Sequence, residues 1–228
     1  LPENAAVVKS IVSSELPTAI AKSYGVEMFN VLTGFKFIAE KIQEFEDTND
    51  HTFLFGFEES YGFLVKPFVR DKDAIQALVL LAEVAAFYKK QGKTLYDALQ
   101  ELFEKYGYYA EKTIPVTMDG QLGASKIAAL MKTFRQKAPT DFGGVKVVES
   151  EDFQAGTRQK QDGSIEKLTT PTSNVLKYLL ADESWIAVRP SGTEPKIKFY
   201  IGVKGISSQN ASEKVAILEK AIKAITMT

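Results

Sequence analysis

Hydrophobic and polar positions change period several times along this chain, and each change marks an element. Ala5 to Ser14 (AAVVKSIVSS) is rich in β-branched residues and ends in a serine pair, which predicts a buried strand and its exit loop. Leu16 to Tyr24 (LPTAIAKSY) reads as a helix stopped by Gly25. Phe35 to Phe45 (FKFIAEKIQEF) has apolar residues at 3–4 spacing, the pattern of an amphipathic helix. His51 to Phe57 (HTFLFGF) is a short aromatic strand that runs directly into Glu58-Glu59-Ser60-Tyr61-Gly62. Asp73 to Lys90 is the clearest helix. Its acidic start and its Lys89-Lys90 end suit the helix dipole, and Gly92 terminates it. Thr94 and Asp97 form a short variant of the capping box, opening a helix that Gly107 closes. Alternating strands and helices predict a layered α/β domain.

The second half reads differently. Lys112 to Met118 (KTIPVTM) is strand-like, and Ser125 to Lys137 is a helix ending before Pro139. Gly144 to Glu149 (GVKVVE) follows, then a polar, turn-rich stretch from Gln154 to Ser164. Ser184 to Val188 (SWIAV) and Lys196 to Val203 (KIKFYIGV) are strands flanking Arg189 to Pro195, and Ala211 to Ile225 is an amphipathic helix. Strands with helices at both sequence ends predict a smaller α+β domain. The boundary falls near residues 108–114, giving domains of 1–112 and 113–228.

Composition narrows the chemistry. Among 228 residues, 45% are hydrophobic and 25% charged, enough for a sizeable core in a soluble chain. The net charge is −1, so no global field favours nucleic acid or an anionic membrane. With no cysteine, disulfides, thiolate metal sites and cysteine nucleophiles are excluded, and one histidine, His51, excludes a multi-histidine metal cluster. No apolar run approaches the roughly 20 residues that span a bilayer. The start, Leu1-Pro2-Glu3-Asn4, lacks the basic and apolar regions of a secretory signal. A cytoplasmic protein is expected, and the missing initiator Met points to a fragment.

Three loops carry candidate chemistry. Arg189-Pro190-Ser191-Gly192-Thr193-Glu194-Pro195 crowds an arginine and two hydroxyls around a glycine, a turn able to aim backbone N–H groups at an anion. Arg189 offers a fork matched to phosphate oxygens, and Lys198 a further charge. The same pattern also describes an ordinary Pro/Gly hairpin with polar tips. In Glu58-Glu59-Ser60, residues 58 and 60 point the same way if extended and suit two hydroxyls of a polyol; a solvated acidic loop is the plainer reading. In Arg70-Asp71-Lys72-Asp73, the acids read as helix cap and dipole partners, while Lys72 at the positive helix end suits proton handling or a phosphate contact. His51 reads as structural or solvent-facing.

Taken together, these loops resemble the α-D-phosphohexomutases. The resemblance covers Val31-Leu-Thr-Gly-Phe-Lys-Phe-Ile38, Phe55-Gly-Phe-Glu-Glu-Ser-Tyr-Gly62, Val69-Arg-Asp-Lys-Asp-Ala74 and Arg189-Pro-Ser-Gly-Thr-Glu-Pro195, followed by Lys-Ile-Lys-Phe-Tyr200. Each is moderately specific, and all four in this order are strongly so. The family has four domains around a central cleft. The resemblance implies that this chain is the third, a three-layer α/β domain with a mixed sheet, followed by the fourth, a smaller antiparallel-sheet domain packed by helices.

By the same resemblance, Glu58 and Ser60, with Glu59 beside them, read sugar hydroxyls; Thr33 and Gly34 form a turn near the substrate. Lys72 is a substrate contact or proton-transfer group, and Arg189, Ser191, Gly192, Thr193 and Lys198 hold phosphate. The family's phosphoserine loop and its Asp-x-Asp-x-Asp-Arg magnesium loop belong to domains 1 and 2, and neither motif occurs here. The resemblance therefore implies no metal or cofactor in this piece, with Mg²⁺ and glucose 1,6-bisphosphate serving the full-length enzyme. A hexose phosphate and the N-terminal domains 1 and 2 are its expected partners, with no nucleic acid and no membrane. The phosphoglucomutase branch, which interconverts glucose 1-phosphate and glucose 6-phosphate, fits best. A phosphomannomutase or phosphopentomutase half, or a non-catalytic sugar-phosphate binding module, are the alternatives.

Overall fold

A computed structural model describes residues 1–118, 122–192 and 194–226. The chain divides into two compact units, Leu1–Tyr108 and Tyr109–Thr228. That division falls at the head of a strand, β5 (Tyr108–Thr117), and residue 112 lies inside it.

Unit 1 contains β1 (Ala5–Ser10), α1 (Leu16–Ser23), β2 (Glu27–Val31), α2 (Phe35–Thr48), β3 (Thr52–Phe57), β4 (Phe63–Leu64), α3 (Ala74–Lys90) and α4 (Leu95–Tyr106). The strands lie in the order β2-β1-β3-β4. β1 runs parallel to both β2 and β3, and β4 is antiparallel to β3, which makes the sheet mixed. Side chains on β1 alternate between two cores. Ala6 and Val8 pack with Phe35, Ile38, Ile42 and Phe45 of α2. Ala5 packs on the other side with Ala21 of α1 and Val26, joined by Val7, Met28 and Leu54. Helices on both faces explain why the first strand reads as a nearly unbroken apolar run. This is the three-layer α/β arrangement.

Several local readings have a direct physical basis. Asp73 caps α3 by accepting hydrogen bonds from the Ile75 and Gln76 amides. Thr94 and Asp97 do close a reciprocal capping box: Asp97 N donates to Thr94 Oγ1 at 3.1 Å and Thr94 N to Asp97 Oδ2 at 2.8 Å. Lys9 is fully buried, tolerable because its ammonium pairs with Glu15 at 2.9 Å and donates to the Ser13 carbonyl. His51 is structural. Nε2 lies 3.0 Å from Glu27 and Nδ1 3.1 Å from Asp50, while the ring centroid sits 4.9 Å from Phe29 and 5.0 Å from Phe45. The Glu27 carboxylate, helped by Asp50, raises its pKa above the ordinary value.

Unit 2 continues from β5 with α5 (Gly123–Gln136), β6 (Asp141–Phe142), β7 (Val145–Asp152), β8 (Thr157–Lys160), β9 (Ile165–Lys167), β10 (Leu176–Leu180), β11 (Trp185–Pro190), β12 (Lys196–Gly205) and α6 (Ser208–Thr226). Among the described residues it forms an eight-stranded sheet, in the order β5-β12-β11-β10-β7-β8-β9, with β6 pairing to β7. The pairings from β7 to β12 are antiparallel. Tyr178, Ile186, Val188, Ile197, Phe199 and Ile201 are buried, and Phe134 of α5 packs 6.3 Å from Tyr178 and 6.2 Å from Phe199.

The polar, turn-rich stretch from Gln154 to Ser164 also holds a strand, β8, between its turns. That strand is joined to its neighbours by charge: Arg158 pairs with Glu149 and Glu151 on β7, and Lys160 with Glu166 on β9. Cross-strand ion pairs leave no alternation of apolar residues to read.

Two predictions follow from the packing. Gly202 lies opposite Trp185, whose ring occupies the place of a side chain: a Cβ at 202 would sit 2.2 Å from Trp185 Cε2. Gly202→Ala should destabilise unit 2 by about 2–3 kcal/mol, seen as an earlier thermal transition in the fluorescence of Trp185, the chain's single tryptophan. An unchanged midpoint would contradict this packing. Because its folded pKa is raised, His51 contributes stability that is complete below the unfolded value near 6.5 and is lost as pH rises through the folded value. NMR titration of this single imidazole should give a pKa above 6.5, which Glu27→Gln lowers; a wild-type value at or below 6.5 contradicts the pairing.

Candidate functional site

Parallel pairing sets the geometry of the first site. Ser10 is in register with Val31, and Lys9 with Phe57, so β1, β2 and β3 all finish at one edge of the sheet. The loops after those strands leave from that edge, the place where open α/β sheets bind ligands. Two side-chain bonds join the loops. Gly34 N donates to Glu58 Oε1 at 2.7 Å, and Ser10 Oγ donates to Glu59 Oε2 at 2.8 Å. Ser10 Oγ also lies 2.8 Å from Ser13 Oγ. Gly34, with φ +121, takes a backbone that side chains disfavour, and it starts α2.

The two neighbouring carboxylates therefore point to different partners. Glu58 has one oxygen committed to the Gly34 amide, so it is not the wholly free acceptor that its loop position predicts. Ser60 is exposed, and Thr33 is half-buried beside Gly34. Glu58 N donates to Gly62 O at 2.9 Å, closing the turn. Gly62 faces the stem of Lys72, whose Cδ is 3.1 Å from where a Cβ on Gly62 would stand, with Glu58 Oε2 at 3.4 Å. Lys72 Nζ lies 2.9 Å from Asp71 and 5.9 Å from the Phe35 ring centroid. The Lys72 ammonium and amide hold the Asp71 carboxyl below the usual range. Thr33, Gly34, Glu58, Glu59, Ser60 and Lys72 are thus gathered by elements that meet at one edge. Ser10 and Ser13 belong with them; the only hint in the sequence was a serine-rich strand exit.

Asp71 is engaged by Lys72 and Asp73 by the α3 cap, so this loop offers a metal ion no ligand set. Among the described residues no three acidic or histidine side chains cluster in a way that fits one.

In unit 2, Arg189 on β11 stands directly opposite Lys198 on β12. Antiparallel partners share a face, so Arg189 and Lys198 leave the same face of the sheet from adjacent positions, both half-buried. Among the described residues neither has a hydrogen-bond or ion-pair partner. Like charges placed opposite each other repel, and an anion between them would turn the repulsion into binding. The connecting turn is held by Ser191 N donating to Lys196 O and Lys196 N to Glu194 O, each at 2.7 Å. Glu194 pairs with Lys196 at 3.1 Å, and the Gly192 side is open, with nothing within 4 Å of a Cβ there. Thr193 lies outside the described residues.

Comparison with known proteins agrees with both halves. Residues 1–106 match the phosphoglucomutase/phosphomannomutase alpha/beta/alpha domain III, and residues 131–220 match the C-terminal domain of the same family. A phosphoglucomutase from Staphylococcus haemolyticus is 41% identical over 216 residues, covering 94% of this chain and 39% of the relative. Another from Staphylococcus aureus is 42% identical over 210 residues, covering 92% and 38%. The chain thus spans about two fifths of the length of these curated relatives. Among solved structures, parafusin, a phosphoglucomutase from Paramecium in an open form, aligns with a TM-score of 0.65 at 20% identity, over 97% of this chain and 37% of its own. A phosphoglucomutase/phosphomannomutase family protein from Burkholderia thailandensis gives 0.57 at 15%, over 97% and 38%. At such identities these structures speak for the fold alone. Two family models in chain order, and relatives that match across both units, place this chain in the phosphoglucomutase/phosphomannomutase family, as its domain III and C-terminal domain.

Proposed function

We propose that this chain is the substrate-recognising part of a phosphoglucomutase, one that interconverts glucose 1-phosphate and glucose 6-phosphate through a bisphosphorylated sugar. Residues 1–112 would read the sugar and residues 113–228 the phosphate. The observation that carries the reading is the Arg189–Lys198 juxtaposition, two cations on one face of the sheet with no carboxylate paired to either among the described residues. Support for glucose comes from the phosphoglucomutase relatives at 41–42% identity.

In this reading Arg189, Lys198, Ser191 and the Gly192–Thr193 backbone hold the non-reacting phosphate. Glu58, through the oxygen left over from Gly34, and Ser60 accept and donate to sugar hydroxyls. Glu59 sits beside them, anchored through Ser10, and the Thr33–Gly34 turn limits the space at the same edge. Lys72 is positioned beside Glu58 to contact substrate or pass a proton. A mutase must accept its sugar in two orientations, and reading a phosphate plus hydroxyls serves both. Phosphoryl transfer rests on positioning and charge stabilisation, and this chain supplies positioning. Mg²⁺ and glucose 1,6-bisphosphate would be used by other parts of the full-length enzyme.

Arg189→Gln in the full-length enzyme should raise KM for glucose 1-phosphate by about 10–100-fold, the effect of losing a hydrogen bond to a charged group. Its melting temperature should hold or rise, because the like-charged neighbour of Lys198 is gone. An unchanged KM would sink the phosphate assignment. Purified alone, the 228-residue chain should show no mutase turnover; activity that survives removal of contaminating host enzyme would overturn the division of labour.

A further inference from the structure

Tyr61 is a strained residue whose side chain the fold does not use. Three described residues other than glycine have positive φ: Asn49, Tyr61 and Glu183. Asn49 ends α2, and asparagine tolerates that conformation; Glu183 is ion-paired to Lys204. Tyr61, at φ +65, has neither excuse, and a bulky aromatic side chain adopts this backbone at a cost. In return it buries almost nothing: the side chain is 88% exposed. Among the described residues its hydroxyl has no hydrogen-bond partner and its ring no stacking partner.

The conformation is nevertheless imposed from both sides. The Glu58 N to Gly62 O bond closes the turn, and Gly62 is wedged against Lys72 and Phe35. The ring is therefore presented to solvent between Ser60 and Gly62, on the loop that carries Glu58. A hexose has hydroxyls at its rim and C–H groups on its ring faces. Glu58 and Ser60 suit the first; an aromatic face suits the second, since its negative quadrupole attracts polarised C–H bonds. Stacking has no donor–acceptor direction, so it accepts a sugar in either orientation.

We propose that Tyr61 is a substrate-contacting residue, the platform on which the C–H face of the hexose ring packs. This rests on the sugar-reading assignment of the Glu58–Ser60 loop. The test compares Tyr61→Phe, Tyr61→Ala, Tyr61→Gly and Glu58→Gln in the full-length enzyme, reading kcat and KM for glucose 1-phosphate, the inhibition constant of inorganic phosphate, and melting temperature. Tyr61→Phe should stay within about twofold of wild type, and Ala and Gly should lower kcat/KM by about five- to tenfold, mainly through KM. Phosphate inhibition should not change, and Tyr61→Gly should melt at or above wild type because the strain is gone. Wild-type kcat/KM in Ala and Gly would overturn the proposal. So would a Phe variant as impaired as Ala, or a parallel loss of phosphate inhibition. If only the Tyr61 variants behave as wild type, this inference fails alone; if Glu58→Gln does too, the sugar-reading assignment fails with it.

Discussion

β1 pairs in parallel with both of its neighbours, and the arrangement of unit 1 depends on that constraint. Three strands running the same way must release their loops at one edge, so residues far apart in sequence meet without any loop having to reach. Glu58 meets Gly34 and Glu59 meets Ser10 because the strands bring them level. Parallel pairing also buries both faces of β1, Lys9 included, and its ammonium pairs with Glu15. The edge is tied at Glu58 and Glu59 and exposed at Ser60 and Tyr61.

Unit 2 follows another logic. Its antiparallel ladder places β11 and β12 side by side, and the register alone decides that Arg189 faces Lys198. Other cations of this sheet have acidic partners: Arg158 pairs with Glu149 and Glu151 and Lys160 with Glu166 across strands, and Lys204 with Glu183 of the β10–β11 turn. Among the described residues Arg189 and Lys198 have no such partner, so two like charges are opposed there. Tyr61 in unit 1 departs from a local rule in another way, through its positive φ. Both lie in segments that carry the sequence resemblance to the family.

Much of this was legible in the sequence, for identifiable reasons. α2, α3 and α4 announce themselves through a 3–4 apolar stripe, an aspartate cap and a Thr–Asp box, all local signals. β8 was hidden because ion pairs replace its apolar alternation, and β10 because Lys177, lying 4.9 Å from the Trp185 ring, interrupts an otherwise apolar strand. At the site, residue types could be read but partners could not. The Gly34–Glu58 and Ser10–Glu59 bonds span 24 and 49 residues, and nothing local records them. Pattern alone balances the Glu58 and Arg189 loops between solvated turns and binding sites. The binding reading comes from the family resemblance, with the register that opposes Arg189 and Lys198 as its physical basis.

That basis can be examined most directly by determining the structure of the full-length enzyme with glucose 1-phosphate bound. The account predicts phosphate oxygens within hydrogen-bond distance of both Arg189 and Lys198, and sugar hydroxyls on Glu58 and Ser60. Sugar phosphate bound elsewhere, with the cation pair bridged by nothing, would contradict it.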